Sequence, residues 1–546
     1  MDLSGRRLGG SRSFSERDLL WPSLLIYAPL AFVLSVRQRG YFNSDFVAYA
    51  TLARRLAEHS DGTVTGYWSP LYSWLMVPLL RLGLSDLTAG RLVLLLAGAG
   101  YIVAIFALAS RLASRDEPFR TVFMTGVSCC TVLQAIVWST YLLDPDLLAN
   151  ALLFTYFLLL LDPRLPQKPW LALAAGLCAG LTYLAKAYML PFIIVHLLLT
   201  LLLLARSSGP AESPIRHSYK ASYLCVMLGL FLVAGPWMTV LSHHYHRLTF
   251  STAGTANHAN VSPDWYRQDP LWNRPLEKEY ICEPHFGPDW SPFSSWKNFR
   301  HQAYLCLNNT FNGIAYMASW LAMLPVGALW IWRLQGRTSG LRLVGQAQWL
   351  PVWLALTGLV YCSGYAMIIL NARYLVPTLA PLICLLGLTL FCAALNATSE
   401  TKLLRLHASR GLIYGMLLVL PFCLQDLFRV RDNVWLHSQC SALSSNRPIA
   451  EALARLKRGP GPFAVSNWHR GLDIAYAAGA VDLYLGQPRA TEPLKRSLEL
   501  AAAGARTYLQ FRQTRNPVEK VLPSPWTRQC SVSLAHERSV DIYVSQ

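Results

Sequence analysis

Long apolar runs alternate with polar connections along most of this sequence. Most runs approach the roughly 20 residues that an α-helix needs to cross the hydrocarbon core of a membrane, where no water satisfies the backbone. The pattern therefore predicts an all-α polytopic membrane protein with about eleven transmembrane helices. The predicted spans are residues 19–36, 89–110, 122–140, 147–161, 170–185, 187–204, 222–241, 311–332, 349–370, 374–395 and 412–427.

The amino-acid composition agrees with a membrane protein. Of the 546 residues, 53% are hydrophobic and only 14% are charged, whereas soluble proteins carry about 25% charged residues. The net charge of +18 taken alone would also suit a nucleic-acid-binding protein. The positions of the basic residues explain this charge without a nucleic-acid partner.

Lys and Arg are concentrated in every second connection, from Arg6 and Arg7 in the N-terminal tail to Arg405 and Arg410 before the last run. Basic residues near the ends of spans prefer the cytoplasm. We therefore expect the N-terminus to be cytoplasmic and the segment after the last span to be extracytoplasmic. We further expect the protein to reside in a bacterial inner (plasma) membrane.

These charges divide the chain into domains. The predicted parts are a cytoplasmic basic tail (1–18), a transmembrane domain (19–427) with outer loops 37–88 and 242–310, and an extracytoplasmic cap (428–546). The cap is predicted to be a small α/β domain because strand-like and helix-like segments alternate within it. The predicted strands are 463–466, 480–485, 507–511 and 540–544, and the predicted helices are 471–478 and 493–503.

Charged residues collect at the outer ends of the spans and are almost absent from their middles. His196, which lies within a span, is interpreted as a structural hydrogen-bonding residue. The residues at the outer ends are Asp45, Asp144, Asp146, Lys186 and Arg373. Charged residues in the middle of spans would mark a transport path. Their position here instead favours a site at the extracytoplasmic ends of the spans.

Asp45 is the first of these residues. Ser44 is predicted to be the N-cap of a surface helix that runs to about His59, which would place Asp45 in its first turn and Tyr49 on the same face. A carboxylate held there could act as a general base. The alternative is that Asp45 only stabilises the end of its helix.

A second surface helix is predicted from Ser69 as N-cap and Pro70 at the first helical position to Leu82, where Gly83 ends it. Its aromatic residues are also typical of the aromatic belt at a membrane interface.

Two further pairs of charged residues complete the pattern. Asp144 and Asp146 open the fourth span, and like charges so close together need a cation, water or a basic partner to stay ionised. Capping of the helix start is the alternative role for this pair. Lys186 and Arg373 lie on the side that basic residues usually avoid, which suggests that they hold a phosphate at the interface. The alternative is that each side chain only extends to the lipid head groups, as most Lys and Arg residues at span ends do.

In order along the chain, these segments resemble the type C (GT-C) membrane glycosyltransferases, in particular the lipid A aminoarabinose transferases and the protein O-mannosyltransferases. The resemblance covers most of the membrane domain. It rests on Asp45 with Tyr49, Ser69-Pro70-Leu71-Tyr72-Ser73-Trp74-Leu75, Asp146, Leu181-Thr182-Tyr183-Leu184-Ala185-Lys186, and Arg373-Tyr374-Leu375-Val376-Pro377-Thr378-Leu379-Ala380-Pro381-Leu382.

The resemblance implies transfer of a sugar from a polyprenyl-phosphate carrier to a lipid, glycan or protein acceptor at the outer face, with inversion. It implies Asp45 as the catalytic general base, with Asp146 as the second catalytic residue. Lys186 and Arg373 would stabilise the charge on the departing phosphate. The further substrate-binding residues would be Tyr49, Trp68, Tyr72, Asp144 and Tyr374.

Two departures limit the resemblance. Aminoarabinose transferases carry Glu-Lys where this chain has Trp68-Ser69, which argues against the same sugar. Many members also have paired acids in the first outer loop, whereas here Phe46 follows Asp45. We therefore expect no cofactor, with a divalent metal bound near His243, His244 and His246 as the alternative.

Other features of the sequence stay open at this point. Loop 242–310, with Asp264, Trp265, Tyr266 and Trp272, is expected to cover the active site. Disulfides between Cys282 and Cys306 and between Cys440 and Cys530 would suit an oxidising compartment. Glycosylation sequons begin at Asn260 and Asn308, so an endoplasmic reticulum location is the alternative. The alternative functions are a lipid or polysaccharide transporter and a non-catalytic membrane assembly subunit.

Overall fold

The computed structural model describes most of the membrane domain and parts of the C-terminal domain. The described residues are 17–38, 41–60, 63–113, 117–207, 214–263, 289–321, 349–397, 442–456, 461–466, 468–480, 493–513, 522–534 and 538–545, with the single positions 419, 424, 459, 483 and 485.

The membrane domain is a bundle of mostly apolar helices. Its helices are α1 (Arg17–Arg37), α2 (Ser44–Ala57), α3 (Leu71–Arg81), α4 (Asp86–Leu112), α5 (Glu117–Thr140), α6 (Asp146–Leu160), α7 (Pro169–Ala185), α8 (Met189–Ser207), α9 (Pro214–His244), α10 (Ala253–Asn260), α11 (Trp296–Leu321), α12 (Trp349–Met367) and α13 (Ala372–Ala397). Within the described residues, six helices are long and apolar enough to cross a membrane, namely α1, α4, α5, α9, α12 and α13. The chain is a polytopic helical membrane protein, as its apolar pattern predicts.

Small residues allow close helix packing in this bundle. A Cβ atom on Gly176 of α7 would overlap the backbone carbonyl of Val226 in α9, and one on Gly229 would overlap the backbone of α7. Glycines at such positions let two backbones approach within a membrane, where association depends on packing and not on exclusion of water.

Most predicted spans agree with observed helices, but two do not match fully. Helix α11 begins at Trp296, about fifteen residues before the predicted start at 311. The prediction followed the apolar run and therefore missed the first turns of this helix, which are polar. The predicted span 412–427 lies outside the described residues except for positions 419 and 424.

The predicted helix caps were wrong by one residue in two places. Asn43, in an extended conformation, occupies the N-cap position of α2 in place of Ser44. Pro70 occupies that position in α3 in place of Ser69, whose Oγ instead accepts a hydrogen bond from the backbone N–H of Ala187 at 2.8 Å. Gly83 follows α3 with φ of 85°, as expected for a residue that ends a helix.

In its described residues, the C-terminal domain combines a small sheet with three helices. The helices are α14 (Ala442–Ala454), α15 (Trp468–Ala477) and α16 (Pro493–Ala502), and the strands are β1 (Phe463–Val465), β2 (Thr507–Gln513), β3 (Trp526–Leu534) and β4 (Arg538–Ser545). The strand order is β1-β2-β4-β3, with β1 and β2 parallel and the other pairs antiparallel. This agrees with the α/β prediction, although the exact limits of the domain stay a prediction.

One strand prediction in this domain was wrong, and one observed strand was not predicted. The described positions of segment 480–485 form no strand, and Leu485 donates only a single backbone hydrogen bond to Phe463. Strand β3 was missed because it is an edge strand of mostly exposed polar residues with a bulge between Arg528 and Cys530, so its apolar alternation is weak.

The two ends of the bundle carry different connections. Arg111 at the end of α4 pairs with Asp162 after α6, and Ser222 near the start of α9 donates to the Leu165 carbonyl, so these three connections share one end. Asp45, Asp144 and Arg373 lie together at the opposite end. The grouping matches the prediction from the charges, while the membrane side that each end faces stays a prediction.

Candidate active site

The five charged residues predicted to mark a site form one ion-pair network, which we call the Arg373 cluster: Asp45, Asp144, Asp146, Lys186 and Arg373. The Arg373 guanidinium lies 2.6 Å from Asp45 Oδ2, 3.3 Å from Asp144 Oδ2 and 3.9 Å from Asp146 Oδ2. Lys186 Nζ pairs with Asp146 Oδ1. Residues that are up to about 330 positions apart in sequence thus meet at one end of the bundle.

Turns that proline favours place two of the carboxylates. Pro145 occupies the N-cap position of α6, so Asp146 begins the helix. Asp144 Oδ1 accepts the backbone N–H of Asp146 at 3.1 Å, which holds the two carboxylates at the helix start. Asn43 Oδ1 accepts the backbone N–H of Leu143, also at 3.1 Å, and so joins this turn to the segment before Asp45.

A helix break places Lys186. Helix α7 ends at Ala185, Lys186 is extended with φ of −154° and ψ of 115°, and α8 begins at Met189. Pro191 favours the break, because within a continuous helix it would lack the N–H for its bond and clash with the preceding turn. The free Ala187 N–H is satisfied by Ser69. The structure thus confirms that the two apolar runs meet at Lys186 as separate helices.

Tyrosine rings surround the two cations. Lys186 Nζ lies 4.0 Å from the centroid of the Tyr374 ring and 5.5 Å from that of Tyr365, and these two rings stack with centroids 5.1 Å apart. Arg373 donates to the Tyr374 hydroxyl at 3.0 Å. Cation–π contacts stabilise positive charge without neutralising it, so both cations keep their attraction for an anion.

The cluster holds more acid than base. Three carboxylates and two cations sum to a formal charge of −1 when all are ionised. The side chains of Asp144 and Asp146 are 8% and 6% exposed, whereas that of Asp45 is 27% exposed. Burial, with a further contribution from Asp146, raises the pKa of Asp144 to about 7. Asp144 therefore binds and releases a proton near neutral pH, and Asp45 is the most accessible carboxylate.

Aromatic residues of α2, of α3 and of the segment before α3 lie next to the cluster. The Tyr49 ring meets Trp68 edge-on at 5.2 Å and Tyr72 edge-on at 5.4 Å. Tyr72 is fully buried and donates to the Gly90 carbonyl, and Tyr49 is 6% exposed. Burial raises the pKa of both phenols, so they stay neutral. Trp68 is only half-buried, so of the three it keeps the most accessible ring surface.

Sequence reasoning missed several residues of this site. Tyr365 lies under Lys186, and Asn43 and Ser69 tie the surface helices to the charged turns. Tyr361 and Tyr365 are one helical turn apart in α12, a spacing that places both rings on the same face and could have indicated an inward-facing pair. For Asn43 and Ser69 no local pattern distinguishes these long-range bonds from ordinary caps.

Other predicted features fall partly outside the described residues. Among the described residues, no group of three or more His, Cys, Asp and Glu side chains could hold a metal ion. The loop residues Asp264, Trp265, Tyr266 and Trp272 lie outside the described ranges, so the lid stays a prediction. Cys306 and Cys530 are free cysteines, so the predicted pairings with Cys282 and Cys440 were wrong.

Two buried residues elsewhere bear on the sequence predictions. Asn260 is 5% exposed, which disfavours glycosylation there. His196 is fully buried among aromatic rings, 3.1 Å from the Tyr156 hydroxyl, which fits the predicted structural role.

Comparisons with known proteins identify the fold. No protein-family model matches the chain, and no curated protein matches its sequence. The crystal structure of ArnT from Cupriavidus metallidurans bound to undecaprenyl phosphate matches with a TM-score of 0.53 at 12% identity, over 95% of this chain and 97% of that chain. The apo structure of the same protein matches with a TM-score of 0.54 at 13% identity, with the same coverage.

A cryo-EM structure of the arabinofuranosyltransferase AftD from Mycobacteria matches with a TM-score of 0.49 at 14% identity, over 98% of this chain and 40% of that chain. Identities this low establish the fold alone. The chain therefore has the fold of ArnT along nearly its whole length, and the resemblance to the type C membrane glycosyltransferases is confirmed at the level of the fold.

Proposed function

We propose that this protein is an integral membrane glycosyltransferase that moves a sugar from a polyprenyl-phosphate donor to an acceptor hydroxyl or amine at the extracytoplasmic face. The observation that carries the proposal is the Arg373 cluster, which gathers three carboxylates and two cations at one end of an apolar helix bundle. The fold supports it, because ArnT has the same fold and has a structure bound to undecaprenyl phosphate.

The position of the cluster suits an amphiphilic donor. A polyprenyl tail is stable only in the hydrocarbon core, whereas its phosphate and sugar need polar partners. Asp146 opens the apolar helix α6, Arg373 opens α13, and Lys186 lies in the break between α7 and α8. A phosphate at this depth contacts the cations while its tail lies along the lipid-facing helices.

The proposed reaction assigns the acid–base step to Asp45. Asp45 takes the proton of the acceptor while the acceptor oxygen or nitrogen attacks the anomeric carbon of the donor sugar. The bond between that carbon and the phosphate oxygen breaks with inversion, and the phosphate keeps the electron pair. Asp45 suits this role because it is the most exposed carboxylate of the cluster.

Lys186 and Arg373 would stabilise the phosphate as its negative charge grows. Within the described part of the chain, Arg373 Nε makes no hydrogen bond and lies 3.9 Å from Asp146 Oδ2, so this donor could bind a phosphate oxygen. Protonation of Asp144 would bring the cluster to neutrality and so reduce its repulsion of the phosphate. Asp146 and Asp144 would orient the sugar or the acceptor, with Trp68 against the sugar ring. No cofactor is proposed, because the two cations supply the positive charge.

Binding of undecaprenyl phosphate tests the donor class directly. The purified full-length protein in lipid nanodiscs would be titrated with undecaprenyl phosphate and analysed by native mass spectrometry. We expect Lys186→Ala to weaken binding by about 10- to 100-fold, the value of a charge-assisted hydrogen bond of about 1.5–3 kcal/mol. The matched control is Arg81→Ala, an exposed residue of the surface helix α3, which should bind as the wild type does.

Lipid analysis extends this test to the sugar. Mass spectrometry of lipids that co-purify with the protein should reveal a polyprenyl phosphate, with the sugar attached when the donor is bound. Wild-type protein that neither co-purifies with nor binds a polyprenyl phosphate would contradict the proposal. Binding without transfer to any acceptor would instead indicate a non-catalytic subunit.

A further inference from the structure

The C-terminal domain contacts the membrane domain directly beside Asp45. Tyr476 of α15 places its ring 4.7 Å from the Phe42 ring and 6.2 Å from the Phe46 ring. Phe42 and Phe46 flank Asp45 in sequence and are 2% and 0% exposed. The ring of Tyr476 therefore packs against the turn that carries the Asp45 carboxylate.

The hydroxyl of Tyr476 reaches a second anchor. It donates to Asp86 Oδ2 at 3.3 Å, at the start of α4. The same carboxylate pairs with Arg54 in the C-terminal half of α2, and the Arg54 guanidinium lies 5.8 Å from the centroid of the Tyr476 ring. The side chain of Tyr476 thus contacts both ends of α2 and the start of α4.

Different contacts hold the middle and the start of α2. Ser73 of α3 donates to the Tyr49 carbonyl at 2.9 Å, which fixes the middle of α2. No side chain caps the first turn of α2 within the described residues, because Asn43 uses its Oδ1 for Leu143. The turn that holds Asp45 2.6 Å from Arg373 is therefore restrained by the Asn43–Leu143 hydrogen bond and by the aromatic contacts of Phe42 and Phe46 with Tyr476.

We propose that Tyr476 is a positioning residue, through which the C-terminal domain holds α2 so that Asp45 stays paired with Arg373. This inference rests on the proposed function, because the pair matters when Asp45 is the base and Arg373 binds the phosphate. Loss of the contact lets Asp45 move away from Arg373. Displacement of a catalytic group by about 1 Å can cost about 100-fold in rate.

Movement of Asp45 also has a consequence for binding. A carboxylate that leaves Arg373 no longer competes with a phosphate for the guanidinium. Tyr476→Ala should therefore bind undecaprenyl phosphate more tightly than the wild type, as should Asp45→Asn, each by about threefold to tenfold. A tighter complex from a change in a different domain is a result that simple loss of stability does not produce.

A double-mutant cycle tests this coupling. Undecaprenyl phosphate would be titrated against the full-length wild type, Tyr476→Ala, Asp45→Asn and the double variant in nanodiscs. Tyr476 and Asp45 lie on different domains, so independent effects on binding should multiply. We expect instead that the double variant binds undecaprenyl phosphate as tightly as Asp45→Asn alone. Asp45→Asn already removes the carboxylate that competes for Arg373, so Tyr476→Ala has no further effect on binding.

Two further variants and a second measurement support the cycle. Tyr476→Phe keeps the ring contacts and should behave nearly as the wild type. Tyr476→Leu keeps apolar volume and should bind as Tyr476→Ala does. It replaces Tyr476→Ala if that variant does not fold.

Hydrogen exchange of the α2 amides should rise about tenfold in the Ala and Leu variants. The control is Leu494→Ala, an exposed residue of α16 that should change neither property.

The outcomes separate the inference from the proposed function. Multiplicative effects in the double variant, or unchanged α2 exchange in Tyr476→Leu, would overturn the positioning role. If the wild type does not bind undecaprenyl phosphate, the proposed function fails, and α2 exchange alone then decides whether Tyr476 holds the helix.

Discussion

Helix α6 has an ion-pair cluster at each end, and the two clusters differ in their balance of acid and base. At the C-terminal end, the carboxylate of Asp162 lies 3.0 Å from Arg111 and 2.8 Å from Arg164, an arrangement that we call the Asp162 cluster. At the N-terminal end, the Arg373 cluster holds three carboxylates with two cations. The first arrangement gives a single carboxylate two cationic partners, whereas the second leaves an excess of acid in a buried place.

The pKa values show the effect of this difference. Hydrogen bonds from Arg164 are the main cause that lowers the pKa of Asp162 to about 2, so this carboxylate stays ionised and serves the turn. Burial raises the pKa of Asp144 to about 7. A carboxyl group whose pKa is raised to near 7 lowers the free energy of unfolding at neutral pH. Groups with such shifted pKa values are concentrated at sites of binding and catalysis. The comparison indicates structural pairing at one end of α6 and chemistry at the other.

Removal of the proposed base should produce the largest difference between the clusters. We expect Asp45→Asn to reduce sugar transfer by about 10²- to 10⁴-fold, the usual contribution of a general base. Asp162→Asn, at the opposite end of α6, should leave the transfer rate of the folded protein close to that of the wild type. The measurement is release of polyprenyl phosphate from the donor lipid that co-purifies with the protein. Equal losses in both variants would remove the distinction.

A smaller difference is expected in the free energy of unfolding. Lys186→Met leaves Asp146 buried beside Asp144 with a more distant partner in Arg373, and an uncompensated buried charge costs about 3 kcal/mol. The further change Asp146→Asn should restore most of this loss.

Arg111→Met supplies the comparison at the Asp162 cluster. It should cost at most about 1 kcal/mol, because Arg111 is 31% exposed and Asp162 keeps Arg164. Denaturant titration in detergent measures all three variants, and a similar cost for Lys186→Met and Arg111→Met would contradict the assignment.

The two clusters should also respond to pH in opposite directions. Folding raises the pKa of Asp144 from 3.8 to about 7, so its contribution to stability is present at low pH and is lost as pH rises through 7. Folding lowers the pKa of Asp162 from 3.8 to about 2, so its contribution is present above pH 4 and is lost as pH falls towards 2. The pH range in which Asp144 changes the stability therefore does not overlap the range in which Asp162 does.

Matched variants can isolate the Asp144 effect. Between pH 5 and 7, the wild type should lose up to about 1.4 kcal/mol of unfolding free energy per pH unit relative to Asp144→Asn. Over the same range, the difference between the wild type and Asp162→Asn should stay constant. Thermal unfolding in detergent at several pH values measures both differences, and parallel pH profiles for the wild type and Asp144→Asn would refute the assignment.

Sequence alone was sufficient for much of the fold, since apolar length fixes where a helix can cross a membrane. It also selected the five members of the Arg373 cluster, because charged residues at span ends are rare enough to stand out. It failed where bonds join residues that are distant in the chain. Ser69 and Asn43 looked like helix caps, and only the fold shows that they bind Ala187 and Leu143. Tyr476 gave no signal, because its partners lie in another domain.

The smallest expected effect concerns two serines, each of which ties a neighbouring segment to the region of one cluster. Ser69 accepts the Ala187 N–H beside Lys186, and Ser222 donates to the Leu165 carbonyl near Asp162. Each change to alanine should cost about 1 kcal/mol of stability, because a buried backbone group loses a partner. Only Ser69→Ala should also weaken undecaprenyl phosphate binding, by about threefold, since it loosens the break that places Lys186. Equal stability losses with unequal binding would show that the clusters differ in function and not only in charge; weaker binding in both variants would show that packing alone controls the site.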